Sequence, residues 1–394
     1  MKKSFQITAL SLVGLASSLS AAAPTNDKCC TTAPAACYPD NPPCAYCVGP
    51  DLVNPSVRPR ACDGSVLVTI AGFYWNSHQD GMEFAIDNSV FVQAVSTVPN
   101  VQELNNLIDA EYQNPNNKWD FGFKAGLAYN STHDGWDIGV LWTWYKGRAS
   151  NHVEAETDDN HTLIPLWSAF QGGPFPYATD IDTHWSMRLN LADVELGREF
   201  WVSKYLTFRP HIGLRFASIN QIYEINHKGG AWSNSPPTTP LNNEVTLRND
   251  FHGVGARGGF NTVWNLGRGF SFFGHTALSI VYGHFKVKHD EWNRQALSPH
   301  SKIRILETED HFSASRAMTD LDLGIQWSTP FGQQCRYGFT IGLAWEHHMF
   351  FDQNQMWRVN RINEDLVAEG ENVYYQRRGD LDTQGWTVTI QFEF

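Results

Sequence analysis

WTVTIQFEF, residues 386–394, closes the chain. Successive side chains of a strand point to opposite sides. Trp386, Val388, Ile390, Phe392 and Phe394 therefore share one face, and Thr387, Thr389, Gln391 and Glu393 share the other. This spacing predicts a last strand that is greasy on one side and wet on the other.

The rest of the chain repeats the pattern. Over 119–130, Phe121, Phe123, Ala125, Leu127 and Tyr129 alternate with Asp120, Gly122, Lys124 and Gly126. A turn cluster follows, and Trp136, Ile138, Val140, Trp142 and Trp144 alternate in turn. Similar hairpins are expected around Trp185–Val202 with Leu206–Phe216, Val254–Trp264 with Phe270–Tyr282, and Leu321–Trp327 with Tyr337–Trp345. Within them, Trp185, Met187, Leu189 and Leu191 are read as the apolar face opposite Arg188.

The connections between hairpins (76–118, 148–182, 220–249, 288–311 and 351–380) are long and polar. Short turns at one end and long loops at the other are the plan of an outer-membrane barrel. With a first strand near Val66–Trp75 and the closing nonapeptide, ten crossings are expected. The range extends to sixteen if MEFAIDNSVFV or NVYYQ hides further hairpins. In hydrocarbon every backbone N–H and C=O must be paired, so a spanning sheet has to close on itself. Trp75, Trp119, Trp136, Trp264, Trp327, Trp345 and Trp386 stand near strand ends, where an indole suits the headgroup zone.

Composition agrees. The chain has 394 residues, only 18% charged and 13% aromatic, yet its mean hydropathy is negative. No run of 18 apolar residues follows the N-terminus, so a spanning helix is not expected. The net charge of −12 argues against nucleic acid as a partner. Residues 1–23 have the charged, apolar and small-residue layout of a cleaved signal peptide. Residues 24–63 form a Cys/Pro-rich segment, expected in the periplasm, with Cys29, Cys30, Cys37, Cys44, Cys47 and Cys62; Cys335 stands apart. In an oxidising compartment disulfides are the default, within or between chains, and six cysteines allow fifteen pairings. The barrel is expected over 64–394.

GFKAGLAYNSTHDGWDIGVLWTWY, ELGREFWVSKYLTFRPHIGLRFASI, RGGFNTVWNLGRGFSFFGHTALSIVYG and WEHHMFFDQNQMWRV resemble the major outer membrane protein family of the Legionella and Chlamydia-related type, from about Trp119 to Phe394. The closing strand likewise resembles the signal read by the barrel-assembly machinery. The resemblance implies an outer-membrane porin passing small hydrophilic solutes and ions, often a trimer. It also implies an abundant envelope protein stiffened by cysteine cross-links between copies.

A porin performs no chemistry, and none is expected here. Strand parity offers Lys124, Arg188, Arg209, His211, Arg215, Arg257, His275, Asp322 and Glu346 as pore-lining residues. Arg188, Arg209, Arg215 and Arg257 form either a basic wall favouring anions or a lining neutralised by acidic neighbours. Gly253, Gly255 and Gly258 match G-x-G-x-x-G, but inside a strand rather than opening a helix, so no cofactor is expected. His347 and His348 lack further partners, and no metal is expected. Two rivals remain: a structural or adhesive barrel with a plugged lumen, and a barrel enzyme built on His161, Asp180, Asp182 and His184 at the outer rim.

Overall fold

The computed structural model describes residues 54, 56–57, 64–88, 107, 109–132, 135–155, 162–169, 177–230, 241–332, 337–363 and 370–394. The expected signal peptide and all seven cysteines lie outside the described residues.

The fold is all-β. Ten long strands carry it: β1 (Ser65–Gln79), β2 (Trp119–Asn130), β3 (Trp136–Glu154), β4 (Asp180–Arg198), β5 (Leu206–Lys228), β6 (Leu241–Gly267), β7 (Phe270–Gln295), β8 (Lys302–Phe331), β9 (Tyr337–Asn354) and β10 (Gly379–Glu393). Each pairs antiparallel with its neighbour in chain order. β10 returns to pair with β1, so the pairings form a cycle. The termini of this sheet meet: Phe394 N donates to Val66 O at 3.0 Å and Val66 N to Phe394 O at 2.7 Å. The tight NLGRG turn between β6 and β7 holds Gly267, Arg268 and Gly269 at positive φ. A Cβ on Gly269 would sit 2.5 Å from Ser328 O, so that position admits only glycine.

The strands run far beyond a bilayer's thickness, and their two faces exchange character on the way. β7 shows it best. Its outward residues are Phe270, Phe272, Leu278, Ile280 and Tyr282, and then His284, Lys286, Lys288 and Asp290. Its inward residues are Ser271, His275 and Ser279, and then Val281, Phe285 and Val287. The apolar outward stretch covers 270–282. At about 3.4 Å per residue and a tilt of roughly 40° it is about 30 Å tall, which matches a hydrocarbon core. β5 changes over between Phe216 and Ser218, and β6 between Val254 and His252.

Above the changeover the interior is an ordinary hydrophobic core. Trp185, Met187, Leu189, Ile219, Tyr223, Phe251, Phe285 and Phe350 are buried there together. Trp185, Met187, Leu189 and Leu191 thus face inward, and Arg188 faces out, contrary to the sequence expectation. Trp75 is likewise buried inside instead of standing at the membrane interface.

The expected loop over 288–311 is mostly strand, because β7 runs to Gln295 and β8 begins at Lys302. The NVYYQ stretch lies in a separate hairpin, Trp357–Asn363 with Gly370–Gln376. Ala85–Asn88, from the MEFAIDNSVFV stretch, belongs to a small sheet with Glu111–Gln113 and Thr162–Pro165.

These segments cap the loop end. Trp167 packs edge-on against Tyr223 and donates from Nε1 to Glu83 O at 2.7 Å. Tyr223 Oη donates to Met82 O at 2.9 Å. Burial would push the Glu83 carboxyl up, but a backbone hydrogen bond, Arg377 and Arg358 outweigh it and hold the group below the usual range.

Two buried histidines make this cap acid-sensitive. Burial pushes His227 and His289 down to about 4, from an ordinary 6.5. His227 Nδ1 meets Asn243 Oδ1 at 2.8 Å, and His289 Nε2 lies 4.0 Å from Glu291. A histidine held neutral in the folded state contributes stability that is fully present above the unfolded pKa and is lost as pH falls towards the folded one. Limited proteolysis is therefore expected to leave the loop end intact at pH 7 and to cut it progressively faster as pH falls from about 6.5 towards 4. In a His227→Gln, His289→Gln double variant that dependence should flatten.

Candidate functional site

At lipid depth the inward faces bring together a cross-barrel network of charges. Arg215 on β5 is its centre. Its Nε and Nη2 donate to both oxygens of Asp193 on β4, each at 2.7 Å, and Nη2 lies 2.8 Å from Asp320 on β8. Arg257 on β6 donates from Nε to Glu195 at 3.0 Å and from Nη1 to Asp320. His348 Nδ1 meets Asp320 at 2.7 Å, and its Nε2 lies 3.4 Å from Glu346.

Lys124 Nζ reaches Glu346 across the interior at 2.7 Å and stands over the Trp75 ring. Trp75 Nε1 donates to Thr387 at 3.1 Å. Nearer the turn end, Arg209 donates from Nε to Asp137 at 2.9 Å and from Nη1 to Glu195 at 3.4 Å. His275 Nδ1 pairs with Asp322 at 2.8 Å, and the His211 ring lies 5.6 Å from that of His275.

Burial decides what this lining can do. A water-filled channel leaves its lining reachable by a water-sized probe. Arg215 and Asp320 are each 2% exposed, Asp193 4% and Arg257 5%. Buried, ion-paired side chains such as these fill the interior of a narrow barrel rather than line a path through it.

Of the nine residues proposed from parity, eight face this interior and Arg188 does not. Arg188 stands outside opposite Lys146 and Asn220, above the apolar belt, because it shares parity with Val194 and Leu196 on the lipid side of the same strand. No basic wall results: Arg209, Arg215 and Arg257 each face carboxylates. Sequence reasoning missed the acidic half of the network, Asp137, Asp193, Glu195 and Asp320, together with His348. The signal was present, since Asp193 continues the parity of Leu191 and Asp320 that of Asp322.

At the loop end, Asp182 and His184 point outward into solvent, and Asp180 is taken up by Lys228 at 3.2 Å. His161 lies outside the described residues. Trp386, Val388, Ile390, Phe392 and Phe394 all face outward and are exposed.

A family described as Legionella pneumophila major outer membrane protein precursor matches residues 65–394, from the first residue of β1 to the chain's end. The chain belongs to this Legionella major outer membrane protein family. The match reaches further towards the N-terminus than the resemblance read from the sequence, taking in β1. Comparison with curated proteins gives no match.

Among solved structures this family member is similar to Ail, the attachment invasion locus protein of Yersinia pestis, at 11% identity over 84% of this chain and 99% of that one, with a TM-score of 0.22. It is also similar to the outer membrane protease OmpT of Escherichia coli, at 8% identity over 84% and 96%, TM-score 0.27. The toluene transporter TodX of P. putida matches at 10% identity over 84% and 90%, TM-score 0.28.

Proposed function

We propose that this outer-membrane protein stands in the bilayer as a closed ten-stranded barrel with its turn end in the periplasm. We propose further that its lumen is shut at rest. Its role is then that of a structural surface barrel presenting a packed projection above the lipid, not of an open diffusion pore. The observation that carries the reading is the burial of Arg215 between Asp193 and Asp320 near the top of the apolar belt.

In this reading the chain reaches the membrane by its signal peptide, and the assembly machinery reads its last strand. The cysteines of 24–63 link copies through disulfides in the periplasm, adding to an oligomer such as a trimer.

The second reading is a porin for small hydrophilic solutes and ions. It is favoured by the charged, rather than apolar, chemistry of the interior at lipid depth. It requires the ion pairs and the apolar core above them to part.

Planar-bilayer recording separates the two. The purified chain is expected to give no conductance steps at moderate voltage. Regular steps, with a reversal potential in a salt gradient, would replace the closed-barrel reading by the porin.

A further inference from the structure

We propose that Glu195, His211 and His275 form a binding site for a divalent metal ion of zinc's chemistry, inside the barrel near its turn end. Glu195 stands on β4, His211 on β5 and His275 on β7, and all three side chains turn inward. One donor atom from each lies within 4.8 Å of the others. A tetrahedral zinc holds its ligand atoms roughly 3.3 Å apart, so rotation of the side chains by an ångström or so closes the site.

Three observations point to an ion there. The first is His211. Its side chain is fully buried, and neither ring nitrogen has a hydrogen-bond partner among the described residues. Its Nδ1 faces Glu195 Oε2 at 3.5 Å. A buried imidazole with both nitrogens unmet costs about 1–3 kcal/mol unless something fills the site.

The second is His275. Its Nδ1 donates to Asp322 Oδ2 at 2.8 Å, which fixes the tautomer and leaves the Nε2 lone pair for a ligand. A carboxylate behind a histidine is the usual support of a metal-bound imidazole.

The third is charge. In the network, Asp137, Asp193, Glu195, Asp320, Asp322 and Glu346 face Lys124, Arg209, Arg215 and Arg257. The carboxylates outnumber the lysine and arginines by two, and His348, with a carboxylate at each ring nitrogen, offsets one of these, so the network keeps a net negative charge that favours a cation.

Arg209 and Arg257 compete for Glu195, but each also holds another carboxylate, Asp137 or Asp320. Glu195 can therefore turn an oxygen to the ion while both arginines remain paired. Access is from the turn end, where the side chains of Glu195 and His275 are 19% and 21% exposed while the network above is closed. The other two clusters differ. Asp322, Glu346 and His348 are already engaged by His275, Lys124 and Asp320, and His152, Glu154 and Asp180 lie on the exposed rim. Two imidazoles and one carboxylate are a donor set that suits zinc and its first-row neighbours.

The test is calorimetric titration of ZnCl₂ into the full chain folded in detergent, with thiols alkylated by iodoacetamide so that the cysteines take up no metal. The expected result is one ion per chain. Asp322→Asn should weaken binding about 10–100-fold, the range for an outer-shell partner. His211→Ala and His275→Ala should weaken it further, and His152→Ala not at all. Folding of each variant is read from the mobility of the unboiled barrel on gels. If His211→Ala fails to fold, the partly exposed His275→Gln carries the test. No uptake by the folded parent chain overturns the proposal. So does equal binding by parent and ligand variants, the result expected if water alone fills the site. Neither result bears on whether the barrel conducts.

Discussion

Replacing Arg215 by alanine is expected to destabilise the folded barrel by about 3–5 kcal/mol. The guanidinium is held on two sides by buried carboxylates, Asp193 at 2.7 Å and Asp320 at 2.8 Å. Removing it leaves Asp193 with Arg257 at 3.8 Å as its nearest cation. The size of the loss comes from the uncompensated charge left behind, and says little about the worth of the intact pair.

Two consequences distinguish this from a packing defect. Asp193→Asn in the Arg215→Ala background should recover part of the loss, giving strong non-additivity in a double-mutant cycle. Arg209→Ala, nearer the turn end and less buried, should cost less. Urea unfolding in detergent, followed by tryptophan fluorescence, measures all of them. A loss for Arg215→Ala below about 1 kcal/mol is what solvated pairs give. It would mean that water fills the lumen, and the porin would become the better reading.

How far the sequence reveals this arrangement depends on which face a residue meets, not on whether a strand exists. The alternation in 119–130, 136–144 and 386–394 is legible because one solvent stays on each side throughout those segments. β4 is harder. Leu189 and Leu191 are followed at the same parity by Asp193, while Arg188 is followed at its own parity by Val194 and Leu196. Each half alone reads as apolar against polar, and only parity counted through the whole strand shows that inside and outside have exchanged.

The upper parts of β7 and β8 are illegible for another reason. Beyond Val287 both faces of β7 are polar apart from Trp292, with Lys288, Asp290 and Arg294 outward and His289, Glu291 and Asn293 inward. An alternation of polar with polar looks like loop. Pairing across the lumen, such as Lys124 with Glu346 or Arg215 with Asp320, depends on how the cycle of strands brings β2 near β9 and β5 near β8. No local spacing encodes that.

The exchange of faces sets the second large effect. Phe285→Ala is expected to cost about 3–5 kcal/mol, as for a large aromatic removed from a packed core, although Phe285 lies above the apolar belt. It is fully buried, with the Phe251 ring at 4.6 Å, the Phe312 ring at 5.1 Å and the Arg316 guanidinium over its face at 5.0 Å. Ile280, five residues earlier on the same strand, is 58% exposed on the belt. Lipid tails there are as apolar as the side chain and close over the lost volume, so Ile280→Ala should cost far less. A single solvent on each face would leave position 285 in a wet lumen outside any core, and the two costs would then be similarly small. Urea unfolding of the two variants in the same lipid vesicles decides between them. Equal costs would remove the hydrophobic cap from the account and, with it, half of the reason for regarding the barrel as shut.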